Sequence, residues 1–147
     1  MGTIRSYRDL KVWQKAMQLV ERCYEISRTC TAGDGYELLH PLRDAAISIP
    51  ANITEGHGRG STGAYRKHLQ IALGSLAELE TLIELAVRVR LIGSIDAAGI
   101  QACSDETGRM LRGLLSALAP SSYEFRFLFA ARQDGKYGGG TAGFHSR

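Results

Sequence analysis

The residues with the types for proton chemistry sit in the middle of the chain. Asn52 and Glu55 lie one helical turn apart, so on a helix an amide and a carboxylate share a face and can hold a metal or activate water. His57 and His68 follow, and a small hydrolytic or metal-dependent enzyme would rest on Glu55, His57 and His68 together. The set is incomplete. His57 comes too soon after Glu55 for one continuous helical face, and no nucleophile stands paired with a base. The structural reading has Asn52 and Glu55 bonding backbone amides freed by Pro50 and by the glycines that come next, because buried polar groups must find partners. The residues favour this reading, so no catalytic residue, metal ligand or cofactor is assigned. Arg59, Arg66 and Lys67 offer a different chemistry: cations gathered near one turn can neutralise phosphates of RNA or DNA.

All of these hang on the stretch from Ser48 to Thr81. In its second half and beyond, Tyr65, Leu69, Ala72, Leu76, Leu79, Ile83 and Ala86 alternate four- and three-residue steps, which puts them on one stripe of a helix. Gly56, Gly58 and Gly60 permit left-handed backbone before Ser61 or Thr62 caps that helix, so the stretch reads as a helical hairpin. The long helix is expected from Thr62 to Leu91.

Upstream, a first helix is expected from Tyr7 to Ser27, capped by Ser6 with Asp9. Its stripe is Leu10, Trp13, Met17, Val20 and Tyr24, widened by Val12, Ala16, Leu19, Cys23 and Ile26. Trp13 on that stripe is a core residue in this reading, not a stacking platform for a base. Thr29 to Tyr36 has turn composition. A second helix starts near Pro41 and buries Leu42, Ala45, Ala46, Ile49 and Ile53. At Pro50 it either kinks and runs on to Glu55, or stops and restarts. After a turn at Gly93, Ser94 and Asp96, a fourth helix carries Ile100, Cys103, Thr107, Met110, Leu111, Leu114 and Leu118 at helical spacing up to Pro120. Beyond it Tyr123, Phe125, Phe127 and Phe129 alternate with other residues, a period of two that suits an extended segment, and the last residues are rich in glycine. The division is therefore 1–119 as helical domain and 120–147 as C-terminal extension.

Composition sets limits. With 147 residues, 44% apolar and 22% charged, the chain has the make-up of one ordinary soluble domain. It holds no run of about 18 apolar residues and begins without the apolar core of a signal peptide, which predicts a cytoplasmic protein away from membranes. Cys23, Cys30 and Cys103 lack close metal-ligand spacing and read as reduced thiols. A formal charge of +3 and a pI near 8.9 permit a nucleic-acid partner without selecting one.

Several motifs carry a resemblance. Asp9-Leu10-Lys11-Val12-Trp13-Gln14, Ser48-Ile49-Pro50-Ala51-Asn52-Ile53-Thr54-Glu55-Gly56, Arg59, and Ile71-Ala72-Leu73-Gly74-Ser75-Leu76-Ala77-Glu78-Leu79-Glu80 resemble the bacterial four-helix-bundle proteins encoded in intervening sequences of large-subunit ribosomal RNA genes. Pro41 and Asp44 depart from the glutamine and basic residue frequent in that family. The resemblance implies an all-α, antiparallel up-down four-helix bundle with a kinked second helix, assembled as a homopentamer and without enzymatic activity. A related group, the accessory variability determinants of diversity-generating retroelements, implies binding to a reverse transcriptase and to nucleic acid. The residues point to self-association independently. Ile71, Leu73, Leu82, Leu85, Val87 and Val89 lie partly off the helix-three stripe, and a monomer would expose several of them. Five copies would carry about fifteen formal positive charges and gather Arg59, Arg66 and Lys67 at one rim.

Overall fold

Apolar side chains recurring every three or four residues can leave water only by facing one another, and in the computed structural model they do so on four helices. Residues 2–31, 33 and 35–119 are described, so the aromatic and glycine-rich segment from 120 onward lies outside the description. The helices are α1 (Lys11–Thr29), α2 (Leu39–Gly58), α3 (Thr62–Arg88) and α4 (Ser94–Ala117), with short 3-10 turns at Tyr7–Asp9 and Tyr36–Leu38. Each packs on two neighbours: α1 on α2 and α4, and α3 on α2 and α4. Residues that ascend along one helix meet residues that descend along the next. Ser48 meets Ser75, Asn52 meets His68 and Gly56 meets Tyr65 across α2 and α3. Leu76 meets Gly108 and Glu80 meets Ser104 across α3 and α4. Lys15 meets Glu106 and Arg22 meets Gly99 across α1 and α4. Those three helix pairs therefore run in opposite directions.

The core lies between the helices, with Leu19, Leu42, Ile49, Ile53, Leu69 and Leu79 among its fully buried side chains. Burying each Leu or Ile contributes roughly 1.5–3 kcal/mol, so the stripes hold the bundle. On α2 the buried set contains all five residues the spacing predicts, and on α3 it contains all of the stripe except half-buried Tyr65. On α1 the centre of the stripe differs from expectation. Val12, Ala16, Leu19, Cys23 and Ser27 are buried, while Trp13, Met17, Val20 and Tyr24 flank them half-buried. The smaller residues occupy the line of closest approach, where a large side chain would hold the helices apart. Trp13 thus packs at the edge of the core, its ring edge-on to Tyr7 at 5.4 Å.

Hydroxyls on the buried faces find local acceptors. Ser27 Oγ donates to the Cys23 carbonyl at 2.6 Å and Thr107 Oγ1 to the Cys103 carbonyl at 2.8 Å.

Element boundaries bring further corrections. The first helix does not begin at Tyr7: the Ser6–Asp9 capping box closes a single 3-10 turn, and Leu10 is extended (φ −72°, ψ 121°) before α1 starts. Helix α2 begins with Leu39, two residues before Pro41, and runs unbroken through Pro50 to Gly58, which excludes the stop-and-restart alternative. Helix α3 ends at Arg88, short of Leu91. Arg90 adopts a left-handed conformation (φ 63°), and the Leu91 and Ile92 amides both turn back to the Ala86 carbonyl.

Candidate nucleic-acid interface at the α2–α3 turn

The hairpin that carries the candidate residues is made by three small residues in different roles. Gly60 reverses the chain with φ +73°, which costs a residue without Cβ nothing. Ser61 accepts the Ala64 amide on its Oγ at 3.2 Å and so starts α3. Gly56 is neither turn nor cap: it is helical and buried, and a Cβ there would sit 2.7 Å from the His68 Cβ and 3.2 Å from the Tyr65 carbonyl. Its absent side chain lets α2 and α3 touch at the turn. The expectation that Gly56 and Gly58 serve left-handed backbone is therefore corrected, since both belong to α2.

Behind the turn a polar ladder crosses the helix pair. Asn52 Nδ2 donates to the Ser48 carbonyl at 2.8 Å and to Ser48 Oγ at 3.1 Å, and Ser48 Oγ lies 2.8 Å from Ser75 Oγ. A carbonyl can only accept, so the Asn52 atom facing it is the NH2 and the other is the oxygen. That oxygen lies 3.1 Å from His68 Nδ1, which must then carry the proton, leaving Nε2 to face Glu55 Oε1 at 3.8 Å. Neither Asn52 nor Glu55 bonds a backbone amide as the sequence reading expects. Asn52 instead bonds a carbonyl four residues back, on the same helical face, and the histidine of the facing helix. Glu55 is exposed and pairs with Arg59. The hydrogen bond from Arg59 holds the Glu55 carboxyl below the ordinary carboxylate range; desolvation opposes it, and the charges of His68 and Arg59 add smaller help.

The three predicted cations separate. Arg59 caps α2 and directs its guanidinium to Glu55, an exposed pair one turn apart that solvent screens and that adds little to stability. Arg66 is half-buried, and its Nη1 donates to the Leu115 carbonyl, one of the last acceptors of α4 left without an intrahelical donor. Lys67 is exposed. The trio is thus one structural arginine, one arginine in a weak exchangeable pair and one lysine open to solvent. His57 stands beside them, edge-on to Tyr65 at 5.8 Å, and with Gly56, Gly60, Ser61, Thr62 and Tyr65 it lines a depression of about 260 Å³ at the turn.

The structure brings Glu55 to His68 but sets His57 against Tyr65. Among the described residues no group of three or more His, Cys, Asp or Glu side chains is placed to hold a metal ion. Sequence reasoning missed Ser48 as the partner of Asn52 and Ser75 as the partner of Ser48. The signal was present: Ser48 and Asn52 are four apart, and Ser75 falls beside Leu76 on the buried stripe, where a hydroxyl needs a partner. Among the described residues no helix is long and apolar enough to cross a membrane.

The model of a protein family described as 23S rRNA-intervening sequence protein matches residues 8–113, from the first 3-10 turn into the last turns of α4. No curated protein matches the chain.

Proposed function

We propose, from the premise that the chain belongs to the 23S rRNA-intervening sequence protein family, that it acts as a non-enzymatic homo-oligomeric helical scaffold that binds RNA or DNA at the α2–α3 turn. One observation carries this reading. Ile47 on α2, Ile71 and Leu85 on α3, and Val89 at the residue that closes α3 keep 41–42% of their surface exposed, although they stand on or beside helices whose other faces supply the core. Aliphatic side chains left in water on two adjacent helices favour burial against further copies of the same surface. Five copies is the number that the resemblance implies. Repetition would place Arg59 and Lys67 from each copy, with His57 beside them, around one rim, and phosphate binding grows with each neutralised contact. A reverse transcriptase is a candidate protein partner on the same resemblance.

Sedimentation at micromolar concentration tests the assembly; a monomer would refute it. Filter binding of single-stranded RNA across a salt series tests the second half. The Arg59→Glu, Lys67→Glu pair should weaken binding and make its salt dependence shallower by about 0.7 for each phosphate no longer neutralised. Arg66 is left in place because changing it would also uncap α4. Affinity indifferent to both salt and the double change would remove nucleic acid from the function.

A further inference from the structure

A groove runs between the start of α1 and the last turns of α4. It encloses about 530 Å³ and is lined by Gly2, Ile4, Leu10, Val12, Met110 and Leu114, with Asp9 and Lys11 at its margin. Its walls are unfinished as a protein surface: Ile4 is 56% exposed and Met110 and Leu114 are only half-buried. The Asp9 carboxylate is already taken by the Arg5 and Ser6 amides, so the groove offers an occupant apolar contact and little else.

We propose that this groove is the docking site for residues 123–129 of the same chain. Helix α4 closes at Ala117 and its last cap is Leu118, so the chain leaves the bundle about 6 Å along the helix from Leu114 and about 12 Å from Met110, at 1.5 Å per residue. Pro120 cannot prolong the helix, and Ser121 and Ser122 suit a reversal. From there, five residues extended at about 3.3 Å each cover roughly 17 Å, enough to run back past both groove residues of α4. The segment that arrives is Tyr123-Glu124-Phe125-Arg126-Phe127-Leu128-Phe129. Alternation puts its four rings on one face, where an apolar groove takes them, and Glu124, Arg126 and Leu128 on the other. Four aromatic rings in a row need cover, and the nearest apolar surface that the helices leave open is the one beside their point of departure.

Hydrogen exchange of the full-length protein, followed by mass spectrometry, tests this. Changing Tyr123, Phe125, Phe127 and Phe129 together to serine alters nothing in the bundle core. It should speed exchange about tenfold or more in the peptides covering 2–12 and 110–118, with the rest of α2 and α3 unchanged. The reciprocal variant Met110→Lys, at a half-buried position, should release protection of the 123–129 amides. Equal exchange of the groove peptides in the wild type and the serine variant overturns the proposal, as does a wild-type 123–129 segment that exchanges like a free peptide. Protection that disappears on dilution to concentrations where the protein sediments as a monomer overturns it too, because the occupant would then be another copy's segment.

Discussion

A single missing methyl group sets how closely α2 and α3 approach at the turn. Backbone and a Cβ stand where the side chain of Gly56 would be, and neither can swing aside. Gly56→Ala is therefore expected to lower stability by roughly 1–3 kcal/mol, despite the better helix propensity of alanine, and to do so without removing any hydrogen bond. Urea unfolding measures it, and a neutral or stabilised variant would show that the hairpin has slack. Asp9 carries a second residue-scale consequence. The Arg5 and Ser6 amides donate to its carboxylate at 2.8 and 2.9 Å and hold its pKa below the ordinary value. Because the folded pKa is the lower one, the stabilisation is present above the unfolded carboxylate pKa and is lost as pH falls through the folded value. In an acid titration the amide resonances of Arg5 and Ser6 should move with a midpoint below that of free aspartate. Movement centred on the free aspartate value would mean that the box is open in solution.

Helix ends and helix interiors respond differently to the same kind of exception. Arg90 holds a left-handed conformation that costs an L-residue roughly 1–2 kcal/mol and costs glycine almost nothing, so Arg90→Gly should raise stability by about 1 kcal/mol once the freer unfolded chain is counted. Thermal melting decides it, and a lower midpoint would mean that the arginine side chain makes contacts worth more than the strain. Pro50 is the interior case. It denies the Ala46 carbonyl a donor at a cost of about 3 kcal/mol, but its buried ring returns about 2 kcal/mol of packing. Pro50→Ala is expected to gain about 1 kcal/mol because alanine restores a donor to the Ala46 carbonyl; urea unfolding measures it, and a less stable variant would show that the packing of the ring outweighs the missing hydrogen bond. The stripes of α2 and α3 were legible because period and burial coincide there. The α1 stripe was misplaced because periodicity marks a wide apolar face without saying which line of it meets the neighbours; Ala16 and Cys23 took the centre by being small. The end of α3 was illegible because its left-handed residue is arginine, where sequence reasoning looks for glycine. At the turn, Arg59, Arg66 and Lys67 look alike in sequence. Only the antiparallel meeting of α3 with α4 shows that Arg66 is engaged by Leu115.

At the scale of the whole molecule, two demands fall on the same helices. Helix α3 must fill the core with Leu69, Leu79 and Ile83, and it still presents Ile71 and Leu85 to water on its other side. If those exposed side chains served the monomer, replacing them would loosen the bundle; if they serve association, the bundle should not notice. Ile71 and Leu85 are 42% and 41% exposed, so exchanging both for lysine removes little buried area inside the subunit. It sets two charges from every copy into any surface that the copies share, where a desolvated unpaired charge costs several kcal/mol. The double variant Ile71→Lys, Leu85→Lys is thus expected to keep its circular dichroism spectrum and unfolding midpoint at low concentration while sedimenting as a monomer. Nucleic-acid affinity should fall with it, although two positive charges have been added, because in the proposed assembly the gain comes from many copies and not from the charge of one subunit. Tighter binding by the monomeric variant would mean that net charge alone governs the interaction. An unchanged sedimentation coefficient would move the interface away from this face of α3.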